Sequence, residues 1–172
     1  MNLEELVAAI KARSAFVYHF TDTRNLDSIR EYGILSMAEI RRRRMEVIPG
    51  GNKWSMDADV TSGMDEYVHL CFFKDHPMVY YAKKEERIEN VRYLRIDPEI
   101  MLEGGVLIAD QVSNKRGAAP LPAAQMIQKI DWKVIYDRTD WKDPAIQARL
   151  KIAKVCELLV PQRVAPSLIK NL

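Results

Sequence analysis

The chain has 172 residues, of which 48% are hydrophobic and 29% are charged, a balance typical of a packed globular protein rather than a disordered one. Its net charge of only +2 excludes a protein that is basic throughout, although four consecutive arginines at 41–44 concentrate positive charge locally. The two cysteines are too few for a disulfide framework and lack metal-ligand spacing. We expect one domain over residues 1–172, located in the cytoplasm, because the sequence contains neither a signal peptide nor an apolar stretch of about 18 residues.

The predicted elements mix helices and strands without internal repeats or low-complexity linkers. The pattern predicts helices over residues 2–13, 25–32, 37–45, 77–87, 97–104, 123–130 and 143–153. It predicts strands over residues 15–20, 67–73, 91–96, 106–109, 133–136 and 155–160, with a long loop over 52–65. Because regular βαβ alternation is missing, we expect a compact α+β fold with mixed, mostly antiparallel sheets flanked by short helices.

A lone acid, Glu157, lies within the last predicted strand. Burying an unpaired carboxylate costs several kcal/mol, so Glu157 must either perform chemistry or pair with a cation such as an arginine. Near the start of the chain, His19 and Thr21 lie where a predicted strand ends and a loop begins. A histidine in such a position is more often structural than functional, but Thr21 and Glu157 together favour a site.

Several familiar chemistries lack their motifs. The chain has no G-x-G-x-x-G, no G-x-x-x-x-G-K-[ST] and no H-E-x-x-H, which removes the dinucleotide-binding, P-loop and zincin interpretations. Asp57 and Asp59 are interpreted as turn residues, and no metal is predicted.

The remaining groups are a histidine, an arginine run, an aromatic-rich strand and one glutamate. They suit cleavage of a cationic N-glycoside, because an anionic diphosphate needs a fork-shaped donor and a flat leaving base needs an aromatic face. The glutamate would stabilise a sugar that resembles an oxocarbenium ion and would deprotonate the acceptor. These parts are the ones an ADP-ribosyltransferase needs.

The order and spacing of several short blocks resemble the DarT family of DNA ADP-ribosyltransferase toxins. These blocks are Tyr18-His19-Phe20-Thr21, Asn25-Leu26, Ser28-Ile29, Gly33, Asp65-Glu66-Tyr67-Val68, Phe72, Pro77-Met78, Tyr80 and Cys156-Glu157-Leu158-Leu159-Val160-Pro161. The similarity extends from about residue 16 to residue 161. The resemblance implies a compact ADP-ribosyltransferase fold that transfers ADP-ribose from NAD to a base in single-stranded DNA and releases nicotinamide.

The resemblance also implies roles for particular residues and a partner. Glu157 would be the catalytic acid, and Arg42 would act both in catalysis and on the nucleotide, with Arg41 and Arg43 as alternatives if the register slips. The residues expected to bind NAD are His19, Thr21, Asn25, Leu26, Arg42 and Phe72. A cognate antitoxin with a macrodomain would remove the ADP-ribose. The acceptor stays open among guanine or thymine in DNA and a base in RNA.

Two further hypotheses belong to other classes. A metal-independent ribonuclease would use two of His19, His69 and His76 as acid and base, although His69 and His76 are otherwise interpreted as structural. An inactive member of the same fold would serve as a nucleic-acid or protein binding module, and Glu157 would be dispensable for its binding.

Overall fold

The computed structural model describes residues 1–74 and 76–172. Eight strands occur within these residues: β1 (Val17–Asp22), β2 (Ile34–Leu35), β3 (Tyr67–Cys71), β4 (Val91–Ile96), β5 (Leu107–Ala109), β6 (Leu121–Pro122), β7 (Glu157–Pro161) and β8 (Arg163–Val164). Six of them form one sheet in the order β4-β1-β3-β7-β5-β6, and every neighbouring pair in it is antiparallel. The second sheet pairs β2 with β8.

Helices surround these sheets. The α-helices of the described part are α1 (Leu3–Ala12), α2 (Leu26–Tyr32), α3 (Met37–Arg43), α4 (Lys53–Ser62), α5 (Pro77–Lys84), α6 (Ala123–Met126), α7 (Trp132–Tyr136) and α8 (Pro144–Ala153). Short 3-10 helices cover Thr23–Asn25, Met64–Glu66, Pro98–Leu102 and Pro166–Leu168. None of the helices described is long and apolar enough to cross a membrane. The predicted α+β class with mainly antiparallel pairing is confirmed.

Strand β7 lies at the centre of the hydrophobic core. Leu158, Leu159 and Val160 have no measurable exposure, because β3 and β5 flank this strand and other elements cover both faces. Full burial of such side chains contributes about 1.5–3 kcal/mol each to folding. Glu157 begins this strand and pairs in register with both Cys71 and Ala109. The acid is therefore held by the most deeply buried part of the sheet.

The segment predicted to be a long loop over 52–65 is instead mostly the helix α4. The side chain of Asn52 accepts a hydrogen bond from the backbone N–H of Ser55, and Gly63 ends the helix with a φ of +73°. These are ordinary start and stop signals. The prediction failed because α4 lacks a steady apolar period, so its end signals were the only indication of helix.

The strand predicted over 133–136 is also wrong, since these residues belong to α7. The run Lys133-Val134-Ile135-Tyr136 favours a strand by its branched and aromatic side chains. In the fold, Asp131 caps the helix by accepting from the backbone N–H of Val134 at 3.2 Å, and the buried Trp132 donates to the carbonyl of Ile127 at 2.7 Å. Tertiary packing thus overrides local propensity here.

The predicted helix end at Gly33 is confirmed and serves an additional purpose. Gly33 has a φ of +82°, and a Cβ atom at this position would lie 2.1 Å from the carbonyl oxygen of Val164. Only glycine fits both the conformation and the close approach. The chain can therefore turn directly from α2 into β2, which pairs with β8 at Ile34 and Val164.

Candidate active site

A cavity of about 200 Å³, called the main cavity below, lies beside β1, β3 and the first residue of β7. Its wall includes His19 and Thr21 from β1, Tyr67, His69 and Cys71 from β3, and Glu157 from β7. The register places Tyr18, Cys71 and Glu157 in one row across these three strands. The sheet therefore brings together both ends of the sequence that were predicted to share a site.

A second, more open cavity of about 630 Å³, called the outer cavity, adjoins the main one. The two cavities share one wall. It is formed by Asn25, Met37, Ile40, Met45, Val47, Ile48, Pro49 and Met56. Arg24 and Arg41 line the outer cavity but not the main one. The pair of cavities together falls within the range of about 300–1,000 Å³ that ligand sites usually occupy.

His19 is held in one orientation by the neighbouring strand. Its Nδ1 donates to the carbonyl oxygen of His69 at 3.2 Å, which leaves Nε2 as the acceptor of the neutral ring. Burial lowers the pKa of His19 to about 4, a shift that the carbonyl of His69 opposes without cancelling. His19 is therefore neutral near pH 7 and can act there as a hydrogen-bonding group rather than as a cation.

Asn25 ties the end of β1 to the segment that closes the cavity. Its Nδ2 donates to Thr21 Oγ1 at 3.0 Å and to the carbonyl of Ile48 at 2.9 Å, while its Oδ1 accepts from the backbone N–H of Ile48 at 2.9 Å. Both amide hydrogens are thus used inside the protein. Asn25 lines the cavity, and its main effect is to fix Thr21 and the segment around Ile48.

Glu157 is 3% exposed and has two partners. Its Oε2 accepts from the backbone N–H of Ser113 at 2.9 Å and lies 3.6 Å from Nδ1 of His69. Burial by itself raises the pKa of Glu157, but His69 and the Ser113 hydrogen bonds lower it by more, so the net pKa is below its usual range. A buried carboxylate is thereby kept ionised at the wall of the cavity.

His69 faces oxygen atoms through both of its ring nitrogens. Nε2 lies 3.0 Å from the carbonyl oxygen of Met64, and Nδ1 lies 3.4 Å from Ser113 Oγ as well as near Glu157. Burial lowers the pKa of His69, but the carboxylates of Glu157 and Asp59 and the Met64 carbonyl raise it to about 9. The ring is therefore an imidazolium near pH 7, and the pair is an internal ion pair.

A second carboxylate, Asp59 of α4, also lines the main cavity. Its Oδ1 is buried without a hydrogen-bond partner, and burial raises its pKa, a shift that His69 opposes and Glu157 reinforces. A buried unpaired acceptor is costly. Asp59 is thus suited to accept a hydrogen bond from a donor of a bound ligand.

The arginine run does not point as a unit toward the site. Arg42 lines neither cavity, since its Nη1 donates to Glu39 at 3.0 Å and its Nη2 to Glu66 at 2.5 and 2.6 Å. Arg41 pairs with Asp65 and lines the outer cavity. Arg42 as the nucleotide clamp stays a prediction, and its neighbour Arg41 is the member of the run that reaches a cavity wall.

Leu26 and Phe72 lie outside both cavity walls. Leu26 begins α2 and packs against the core. Phe72 is 2% exposed and meets the ring of Trp132 edge-on, with centroids 5.2 Å apart. Of the aromatic strand predicted to face the leaving base, Tyr67 lines the main cavity while Phe72 packs in the core. Binding of NAD by Leu26 and Phe72 stays a prediction without a contact to support it.

Sequence reasoning interpreted His69 as structural or as a ribonuclease acid or base, interpreted Asp59 as a turn residue, and did not indicate the backbone N–H of Ser113. For His69 a usable signal existed, because Tyr67, His69 and Cys71 alternate along β3 and therefore share one face. Ser113 gave no signal, since a backbone donor in a loop leaves no trace in residue type.

No three His, Cys, Asp or Glu residues in the described part of the chain are grouped so as to hold a metal ion.

Comparison with solved structures shows the same fold in DarT proteins. Thermus sp. 2.9 DarT in complex with ADP-ribosylated ssDNA aligns with a TM-score of 0.66 and 19% identity, covering 89% of this chain and 78% of that one. The same protein in complex with NAD+ gives a TM-score of 0.59 and 20% identity, covering 90% and 78%. Thermosipho africanus DarTG in complex with ADP-ribose aligns with a TM-score of 0.65 and 21% identity, covering 91% of this chain but only 43% of that one.

Sequence comparison extends the agreement from fold to family. The search of curated proteins gave no match. The sequence model of the family described as "ssDNA thymidine ADP-ribosyltransferase, DarT" matches residues 18–172. This match includes β1 with His19 and Thr21, the cavity-lining face of β3, and Glu157 on β7, so the predicted resemblance is confirmed and the chain belongs to the DarT family.

Proposed function

We propose that this protein transfers ADP-ribose from NAD to a base of single-stranded DNA and releases nicotinamide. The observation that carries the proposal is the ionised, buried Glu157 at the wall of a cavity formed by the elements that the family match covers. Solved relatives in complex with NAD+ and with ADP-ribosylated ssDNA support the donor and the acceptor class. The family description names thymidine, and thymine is accordingly the first base to test.

The two cavities suit a donor of this size and charge. The main cavity offers the Thr21 hydroxyl and the neutral His19 ring for a ribose and a carboxamide, which need uncharged hydrogen-bonding groups. The outer cavity offers Arg41 for a diphosphate, which prefers the fork of a guanidinium. We therefore propose Arg41, the register alternative to Arg42, as the arginine on the nucleotide side.

The reaction requires one bond to break and one to form at the same ribose carbon. The bond from that carbon to the nicotinamide nitrogen breaks, and positive charge develops on the sugar. Ionised Glu157 lies at the cavity wall to stabilise this charge in a setting of low dielectric. The acceptor nitrogen then bonds to the carbon, and its proton passes to Glu157 and on to solvent.

His69 and Ser113 support this role without contacting the reacting atoms. They hold the carboxylate in one place and in its ionised form, since burial alone would favour the neutral acid. Asn25 fixes the segment around Ile48, which forms the wall common to both cavities.

The test incubates the protein with NAD and with single-stranded DNA or RNA oligonucleotides that contain or lack one base, followed by intact mass measurement. Wild type should add one ADP-ribose to DNA, and Glu157→Gln should add none. Glutamine keeps the hydrogen bond from Ser113, and the exposed Glu103→Gln is the matched control that should retain activity. If only RNA were modified, the acceptor would be an RNA base rather than a DNA base. If nothing were modified but the RNA were cleaved, the result would favour a ribonuclease.

A second comparison tests whether Arg41 or Arg42 binds the diphosphate of NAD. Arg41→Gln should raise the KM for NAD about tenfold or more, because charge-assisted bonds of this kind are among the strong ones. Arg42→Gln, which removes only the pairing with Glu39 and Glu66, should leave the KM nearly unchanged. The reverse result would place the clamp at Arg42.

The partner and the location follow from the same proposal. An enzyme that modifies DNA would poison its own cell, so we propose a cognate macrodomain antitoxin that removes ADP-ribose, in line with the DarTG naming of the Thermosipho relative. A DNA substrate inside the cell that makes the enzyme is consistent with a cytoplasmic location. Tolerance of high wild-type expression without any partner would contradict the toxin role.

A further inference from the structure

The outward side of α5 carries two large aromatic side chains that the core does not use. Tyr80 is 63% exposed and Tyr81 is 53% exposed, whereas Val79 and Ala82 on the opposite side are buried. Neighbouring exposed aromatics on one helix face form a patch, and such patches usually mark a binding surface. With Lys83 and Lys84 from the same helix they make up the α5 face.

The α5 face begins at the edge of the main cavity. Met78, at the start of α5, lines that cavity. Tyr81 follows it by three positions, so it lies one helical turn farther along the same side. A chain that leaves the cavity past Met78 would therefore reach Tyr81 first, with the Tyr80 ring beside it.

The chemistry of the α5 face suits bases joined by phosphates. The rings of Tyr80 and Tyr81 meet edge-on with centroids 5.4 Å apart, and Lys84 Nζ lies 6.0 Å from the centroid of the Tyr80 ring. Lys83 is exposed beside them. Exposed aromatic rings interleaved with cations are the usual means of holding single strands, because bases stack on the rings and lysines contact the phosphates.

A second part of the cavity rim has the same charge. Asn114 lines the main cavity and donates to Ser55 Oγ at 3.0 Å, which fixes it against α4. The next two residues, Lys115 and Arg116, are exposed. Cations thus follow cavity-lining residues in both places, directly after Asn114 in this loop and more than one helical turn after Met78 on α5, as an anionic strand lying across the mouth would require.

We propose that the α5 face binds the nucleotides that flank the target base in single-stranded nucleic acid, with bases stacked on Tyr80 and Tyr81 and phosphates contacted by Lys83 and Lys84. The inference rests on the proposed function and adds the surface that positions the acceptor. A double helix is disfavoured, because its bases are stacked on each other and offer no free face to a tyrosine. Of the two acids that follow the lysines, Glu85 pairs with Arg87 at 2.9 Å, which offsets its charge, and Glu86 is exposed.

The experiment measures the Kd of a fluorescein-labelled single-stranded DNA oligonucleotide by fluorescence anisotropy, without NAD so that no turnover occurs. The test variants are Tyr80→Ala with Tyr81→Ala, and Lys83→Gln with Lys84→Gln. The matched control is Trp141→Ala, which removes another aromatic side chain, 65% exposed, that carries its own lysine contact but lies outside α5. Thermal unfolding confirms that each variant is folded.

The tyrosine pair should raise the Kd about tenfold or more, because two bases no longer have an aromatic ring to stack on. The lysine pair should reduce the slope of log Kd against log salt by about 0.7 for each phosphate that is no longer neutralised. Trp141→Ala should leave both unchanged. An unchanged Kd in the tyrosine variant, or an equal rise in the control, would overturn the inference and leave the α5 face to a protein partner.

Failure of this inference can be told apart from failure of the proposed function. Cleavage of NAD in the absence of DNA should be the same in wild type and in all these variants. If wild type modifies DNA but the tyrosine variant does so with an unaltered KM for the oligonucleotide, the enzyme is as proposed and the α5 face does not serve it. Absence of any transfer by wild type would refute the function itself.

Discussion

The ion pair between His69 and Glu157 predicts an unusual dependence of stability on pH. The pKa of His69 is raised from 6.5 to about 9 in the fold. A group with a raised folded pKa stabilises the protein fully below its unfolded pKa, and that contribution is lost as the pH rises through the folded value. The window of loss is therefore from about pH 6.5 to about pH 9.

Each pKa unit corresponds to about 1.4 kcal/mol, so the shift amounts to roughly 3 kcal/mol between the two ends of this window. The perturbation is His69→Gln, which removes the charge but keeps a hydrogen-bonding side chain. Urea unfolding of both proteins at several pH values gives the difference in the free energy of unfolding. This difference should be largest near pH 6 and fall by roughly 3 kcal/mol by pH 9.5, because groups remote from residue 69 titrate alike in both proteins and cancel in the subtraction.

The same variant should change catalysis. Without the imidazolium, burial dominates and the pKa of Glu157 rises, so the acid limb of kcat/KM for NAD should move to higher pH. A residue that merely filled space would lower stability without moving this limb. A pH-independent stability difference together with an unmoved acid limb would refute the assignment of His69 as a charged positioning residue.

Three further outcomes test the fold and the cavity wall. Gly33→Ala should destabilise by more than about 1 kcal/mol in urea unfolding, since a Cβ would lie 2.1 Å from the carbonyl oxygen of Val164 at a φ of +82°; an unchanged midpoint would contradict this. Asn25→Ala should raise the KM for NAD more than it lowers kcat, because the segment around Ile48 loses its hydrogen bonds; a pure loss of kcat would place Asn25 in the chemistry. Asp22 is fully buried, and its hydrogen bonds to Arg24 lower its pKa; Asp22→Asn should therefore cost most stability above about pH 4 and progressively less as the pH falls toward the lowered pKa of the folded acid, as acid unfolding curves would show.

Much of the site could be predicted from residue type and position. Glu157 attracted notice because a single acid in an apolar run has few explanations, and the structure places it at the cavity wall. His19 and Thr21 are two residues apart on β1, so strand geometry alone puts both on one side of the strand, and both line the cavity, as does Phe20 between them. The start of α1 after Asn2 and the end of α2 at Gly33 could be predicted equally well, because helix caps depend on local chemistry.

The partners of these residues could not be read in the same way. Which arginine reaches a cavity depends on where the carboxylates of Glu39, Glu66 and Asp65 lie in space, and a run of four gives no preference by itself. The aromatic Phe72 follows a strand of cavity-lining residues, yet it packs into the core against Trp132. Side-chain direction beyond a strand end depends on tertiary packing.

The sequence by itself determined the elements whose signals are local: most helix starts, the strands of the main sheet other than β6, and the acid that had to be used. Only the tertiary structure decided the protonation of that acid, because His69 and the backbone N–H of Ser113 reach Glu157 from distant parts of the chain through strand pairing and a loop. Burial and neighbouring charge set a pKa, and both are properties of the assembled fold rather than of residue order.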